Sequence, residues 1–525
     1  MVCSATLQER GMNPEIRPSG GAVTRPRQTG SGPGADGGRS LEATALLLIG
    51  GLTLLGLILR LWHLGAWNLQ ATEMFTYRDS QRPQFGNPRP LGYLLNYFVV
   101  RPFTPLDEFG LRLIPALAGT LAIPAIYVLG RRLVGSRAAL FAALLVTLNP
   151  TQILYSQLAR YWSLVFLFAI IAPIAIYLGV RERSGRMFAL GVIATILAGL
   201  SHPVGALAVG GPALLLLAGV RREQLAEWST RRAVRMGGVV VAALAALALY
   251  RFVPLLGGWI SMHDRMPGYG QFLLRPQAPP GVKQLMRLLA LTDSLTVPVV
   301  LAALAGVYLV WRAGHERHVA LFLASVAGFH IAFLLLVSLR TSVSLYYFLP
   351  ATPAFFLGAG LFLDWLCRVD WQARPTWLVP ATVTLMIVAA GIPTVISDYR
   401  DGRRFDFRGA ARWLTQVMKP GDVVFSDQPM VLQHYLPQTK VLHLQENPTR
   451  LADSLRSVEA SRRSNVWVVA PAASHAFRAT LKEGGLRGWI YTNCQLDNTL
   501  GWGRIDLRQQ YLQVYRCPPA PAPGS

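Results

Sequence analysis

Two stretches of the 525-residue chain, about 63–110 and 257–292, run far longer between apolar segments than a connection requires. Both hold side chains that could do chemistry. The first offers the carboxylates of Glu73, Asp79, Asp107 and Glu108, the second that of Asp264. A carboxylate beside a short amphipathic helix at a membrane face can act as a general base, taking the proton of an acceptor hydroxyl as that oxygen attacks the anomeric carbon of a sugar. Arginines accompany them: Arg78, Arg82, Arg89, Arg101, Arg160, Arg265, Arg275, Arg287 and Arg340. Their planar fork suits the oxygens of a phosphate. Each group also has a plainer reading. Glu73 can be a helix-start carboxylate, and a chain in which all but four of 50 basic residues are arginine uses arginine as its ordinary surface cation.

Other chemistries find less support. No GxxxxGKS/T phosphate loop occurs, so cytoplasmic ATP is not an evident energy source. His315 and His318 in "HERH" sit in a short basic turn and read as solvated groups rather than metal ligands, and no CxxC with partner ligands could hold zinc. No cofactor is evident, and a need for a divalent metal is left open. The net charge of +23 raises nucleic acid as a partner. The apolar runs argue against it.

With 52% hydrophobic and 15% charged residues, the chain is too apolar for an ordinary soluble enzyme of its length. After a Gly-, Arg-, Ser- and Pro-rich tail over 1–40, expected to be disordered and cytoplasmic, a retained span runs over about Leu41–Trp62. Further candidates lie near 111–130, 138–155, 163–180, 187–201, 203–220, 236–256, 293–311, 319–338, 345–366 and 377–396. The fold class expected is a polytopic α-helical membrane protein of about eleven transmembrane helices, filling 41–396, with a C-terminal external α/β domain. Arginine-rich turns follow every even span, as with Arg131, Arg132 and Arg137 or Arg221 and Arg222, which places the N-terminus in the cytoplasm. An odd span count then places 397–525 outside, in a multi-pass inner-membrane protein whose C-terminal domain is periplasmic. There "GDVVFSD", "KVLHL", "NVWVVAP" and "LQVYRC" read as strands, with "RGAARWLTQVM" and "ASHAFRATLKEG" as helices between them. Cys494 and Cys517, in or beside strand-like segments of this oxidising compartment, are expected to form a disulfide.

The phrases "RPLGYLLNYF", "FGLRLIPALAGTLAIPAIYVLGRRLVGSRAALFAALLVTLNPTQILYSQLARYWSL", "SHPVGAL", "YYFLPATPAFFL" and "DFRGAARWLTQVMKPGDVVFSD" occur in the order found in a known group. The chain resembles the C-type membrane glycosyltransferases, in the branch of the protein O-mannosyltransferases and lipid A aminoarabinose transferases. That resemblance implies transfer of a sugar, with inversion, from a polyprenyl phosphate carrier to an acceptor on the external face. It matches Thr72-Glu73 to the family's Asp-Glu pair, so the first acid is missing and Glu73 is left as the catalytic candidate. Leu158 stands where an acid is frequent in "SQxAR". The resemblance assigns Arg89, before Pro90, to the donor phosphate, and adds Arg160, Tyr347 and His202 as substrate-binding positions; Arg265 of the second loop joins them. The partners expected are a polyprenyl phosphate sugar, an acceptor of unknown kind and membrane lipids. A catalytically silent relative that binds such glycans or assists a partner transferase is the alternative. A lipid or glycan transporter is less favoured, because charge is scarce in the span centres.

Overall fold

The computed structural model describes residues 35–83, 85–219, 295–314, 316–338, 345–369, 377–401, 404–444, 465–471, 490, 494–501 and 511–518. Helix α1 (Ala35–Leu61) begins six residues before the expected span, inside the segment expected to be disordered. There follow α2 (Ala71–Asp79), α3 (Pro90–Leu95, continued by a π-helical turn over Asn96–Val100), α4 (Glu108–Val134), α5 (Ser136–Leu148), α6 (Pro150–Ser156), α7 (Trp162–Arg181) and α8 (Gly185–Ser201). Among the described residues six helices are long and apolar enough to cross a membrane: Glu42–Leu61, Glu108–Val134, Trp162–Arg181, Arg317–Val337, Tyr346–Arg368 and Leu378–Arg400.

The span expected near 138–155 is instead a bent pair, α5 and α6 meeting at 58°. Pro150 has no N–H to continue α5, and the Asn149 side chain accepts the Gln152 N–H (3.0 Å) to start a new helix. The stretches near 187–201 and 293–311 form the 17-residue apolar helices Gly185–Ser201 and Val297–Ala313, at the lower end of the roughly 17–25 residues a crossing takes. The expected span 236–256, the second long loop with Asp264, Arg265, Arg275 and Arg287, and Arg340 lie outside the described residues.

The helical core is built where α4, α5, α7 and the helix Thr352–Arg368 meet, around Ile126, Val146, Val165, Ile170 and Phe356. Leu47, Leu54 and Ile58 of α1 stay exposed, as a lipid-facing surface would require.

At the N-terminal end of α4 sits a five-stranded sheet in the order β2-β1-β3-β5-β4, with β1 Val423–Ser426, β2 Val441–His443, β3 Val466–Pro471, β4 Gln495–Leu500 and β5 Leu512–Cys517. β2, β1 and β3 run parallel; β5 and β4 are antiparallel. Alternate residues face opposite sides of a strand. Val424, Trp467, Val469 and Val514 therefore pack on one side with Phe407, Ala410 and Leu414 of the helix Phe407–Val417, in one continuous cluster with Leu69, Met74, Leu106 and Leu111 of the first long loop and α4. Phe425, Val466, Val468 and Tyr515 fill the other side. The sheet and the loop thus share a core.

Cys494, just before β4, is bonded to Cys517 at the end of β5, with Cα atoms 4.0 Å apart. The antiparallel register brings Gln495 opposite Arg516 and so places the two cysteines side by side. Closing a loop of sequence separation 23 is worth about 3 kcal/mol by the chain-entropy relation. Reduction by dithiothreitol is accordingly expected to lower the thermal midpoint of the sheet; an unchanged midpoint would mean that the bridge adds nothing.

Candidate active site

The first long loop is folded onto α4 by a buried arginine. Arg112, on the second turn of α4, is fully buried. Its guanidinium donates through Nη1 to the carbonyls of Leu64 (3.0 Å) and Trp67 (2.8 Å), through Nη2 to Asn68 O (3.0 Å) and Glu73 Oε2 (3.0 Å), and through Nε to Glu73 Oε1 (2.9 Å). All five donors of the fork are used. Glu73 also accepts the Ala159 N–H on Oε1 (2.7 Å) and the Gln70 N–H on Oε2 (2.9 Å). Arg404 approaches Oε2 to 3.6 Å while donating to Asn68 O and Gln157 O.

This geometry differs from the one expected of a catalytic Glu73. Burial alone would raise the carboxyl's pKa, but Arg112, Arg404 and the hydrogen bonds outweigh it and hold the pKa at about 2. Each oxygen already accepts two hydrogen bonds, which fills the lone pairs a base needs. Arg404 is pulled down to about 9 by burial and by Arg112, and remains charged at neutral pH. Glu73 is therefore the anion that makes two buried guanidiniums tolerable, and it ties α2 to α4 and to the residue leading into the sheet.

A second cluster lies beside it. Arg89, which caps the start of α3, donates from Nη1 to the Tyr161 hydroxyl (2.6 Å), and Arg160 Nη2 reaches the same oxygen (3.1 Å). Both guanidiniums lie over the Tyr161 ring, with Cζ at 5.4 and 4.7 Å from its centroid. Arg160 Nη1 also donates to Thr72 O (2.9 Å) and Thr76 Oγ1 (3.3 Å). Among the described residues neither arginine is paired with a carboxylate. Tyr161 stacks on His202 (5.1 Å), and Trp162 and Tyr347 complete the aromatic surround at 5.0 and 5.4 Å from the His202 ring.

His202 lies between α8 and the short helix Pro203–Ala206 and is buried. Its Nδ1 accepts the Val204 N–H (3.2 Å), which assigns the ring proton to Nε2. That Nε2 is buried without a partner among the described residues. Burial, and behind it Arg89 and Arg160, keep the ring's pKa well below its usual value. The site thus presents two cations and a neutral N–H donor. Next to it Thr76, Tyr93, Asn96, Arg160, Tyr161 and Leu164 line a narrow recess of about 10 Å³, and Asn96 Oδ1 is buried without a partner among the described residues.

Four of the five expected substrate-binding residues, Arg89, Arg160, His202 and Tyr347, are brought together here; Arg265 lies outside the described residues. Tyr161 and Trp162, on which the cluster is built, were not singled out, nor were Arg112 and Arg404. Arg112 left a signal, because a cation inside an apolar run demands a buried partner.

No family model matches the sequence, and no curated protein matches it. Solved structures do match in fold. ArnT from Cupriavidus metallidurans in its apo state superposes with a TM-score of 0.53 over 90% of this chain and 98% of that one, at 14% identity. This is the fold of the C-type membrane glycosyltransferases. The archaeal oligosaccharyltransferase AglB from Archaeoglobus fulgidus, in complex with an inhibitory peptide and a dolichol-phosphate, shares the C-type fold at a TM-score of 0.50 and 13% identity, over 81% of this chain and 69% of that one.

Proposed function

We propose that the chain transfers a sugar from a polyprenyl-phosphate-linked donor to an acceptor hydroxyl at the outer face of the membrane. One observation carries the reading: Arg89 and Arg160 converge on a single tyrosine hydroxyl, with no carboxylate among the described residues to neutralise them. Two such cations repel each other unless an anion joins them, and a phosphate accepts from both forks at once. The neutral His202 Nε2–H supplies a third donor. In an inverting displacement the bond from the anomeric carbon to the phosphate breaks and its electrons stay on the phosphate, where the two guanidiniums stabilise the charge as it develops. Tyr347 and Trp162 pack the histidine ring and fix its direction. Solved proteins of the same fold include an oligosaccharyltransferase held with a dolichol-phosphate, in keeping with a lipid-linked donor. The Cys494–Cys517 bridge suits an oxidising compartment for the sheet, and hence an outward-facing site.

Saturation of Glu73, together with Thr72 in place of an acid, favours a second reading in which the chain binds the lipid-linked donor without turning it over. Release of undecaprenyl phosphate from undecaprenyl phosphate mannose, glucose or arabinose, measured in nanodiscs with host-membrane extract as the acceptor source, separates the two. Release above the protein-free control from at least one donor is expected. Binding without release from any of them would leave the second reading.

A further inference from the structure

If the chain is a transferase, something must take the acceptor's proton, and Glu73 is saturated. We propose that Asp79 is that general base; the proposal rests on the transferase reading above. The carboxylates of the first long loop sort themselves by their partners. Asp107 caps α4, accepting the N–H groups of Phe109 and Gly110 (3.0 and 2.9 Å), and Glu108 is taken by Arg408 and the Tyr435 hydroxyl. At the far end of the helices, Glu182 and Asp364 are paired with Arg132 and with Arg137 and Arg368. Asp79 is held more lightly. Its Oδ1 accepts from Arg78 Nε (3.0 Å), a side chain 61% exposed, and its Oδ2 accepts a long contact from Asn87 Nδ2 (3.3 Å). The Asp79 side chain is itself only 12% exposed, but an ion pair to so exposed a partner is weak and readily given up.

Its position is also right. Thr72, Thr76 and Asp79 stand at i, i+4 and i+7 on α2 and so share one face of the helix. Arg160 grips that face through Thr72 O and Thr76 Oγ1. Asn87 ties Asp79 to the chain that carries the other cation: while Nδ2 donates to Asp79, its Oδ1 accepts the main-chain N–H of Arg89 (2.9 Å). Tyr93, on the wall of the recess, lies within electrostatic reach of Asp79, Arg89 and Arg160 together. Asp79 is thus tied to the helix face that Arg160 grips and to the main chain that presents Arg89. In the step it would perform, the acceptor oxygen bonds to the anomeric carbon and its proton passes to the Asp79 carboxylate. The bond from that carbon to the phosphate oxygen breaks, and the polyprenyl phosphate leaves with the electron pair, held by Arg89 and Arg160.

The test is Asp79→Asn in the donor-release assay, alongside binding of undecaprenyl phosphate. Loss of about 10²–10⁴-fold in kcat is expected, the usual worth of a positioned base, with the binding of undecaprenyl phosphate unchanged. Arg78→Ala breaks the same ion pair but keeps the carboxylate, and should retain activity; Asp79→Glu should restore part of it. Wild-type rates in Asp79→Asn, or equal losses in Asp79→Asn and Arg78→Ala, would overturn the base assignment and leave the transferase reading standing. Absence of release by the wild-type protein would instead overturn the transferase reading, and the base with it.

Discussion

Glu73→Gln is expected to destabilise the folded protein by about 3–5 kcal/mol, the usual cost of stranding a buried charge by removing its partner. The amide can replace neither both hydrogen bonds from Arg112 nor the charge facing Arg404. The effect should depend on pH in a defined direction. The folded-state pKa is depressed from an ordinary 4.5 to about 2, so the carboxylate contributes its stability, about 3 kcal/mol, above pH 4.5. That contribution is lost as the pH falls from 4.5 through 2. Wild type and Glu73→Gln should thus differ most at neutral pH in detergent-solubilised thermal unfolding, and the gap should narrow as the pH approaches 2. A variant of wild-type stability that had lost only sugar transfer would return Glu73 to the role of base.

The reason Glu73 reads as a base in the sequence is physical. Its partner Arg112 lies 39 positions away and Arg404 beyond the last apolar run, so neither spacing nor composition reveals that three charges meet. The helix expected at "ASHAFRATLKEG" lies outside the described residues. The six long apolar helices, the helix Phe407–Val417 and four of the strands were legible because burial imposes runs of apolar or β-branched residues, as in "NVWVVAP" for β3. β4, "QLDNTL", was not. Among the described residues it is an edge strand paired only to β5, with its first three residues exposed, and such a position imposes no apolar pattern. The run around Asn149-Pro150 reads as one span, because hydropathy does not register a bend. Arg89, Arg160, His202 and Tyr347 came from the likeness of their surrounding phrases to a family. Their convergence on Tyr161 depends on α3, the α6–α7 junction, the end of α8 and the turn before Thr352 meeting in space. No local pattern encodes that.

Binding of the phosphate group is the central claim, and undecaprenyl phosphate is the probe that isolates it from chemistry and from the identities of sugar and acceptor. Hydrogen bonds to a charged group contribute about 1.5–3 kcal/mol each. Arg89→Ala and Arg160→Ala should therefore each weaken binding by roughly 10- to 150-fold, and the two together by more than either alone. Loss of either arginine also frees the Tyr161 hydroxyl, so the pair need not be additive. The decisive measurement is a titration of nanodisc-embedded protein with undecaprenyl phosphate and, in parallel, with undecaprenol, which has the same chain and no phosphate. The expected result is tight binding of the phosphate by the wild-type protein, little binding of the alcohol, and loss of the difference in the Arg89→Ala, Arg160→Ala double variant. Equal binding of the two lipids by the wild type, or an undiminished preference in the double variant, would contradict it.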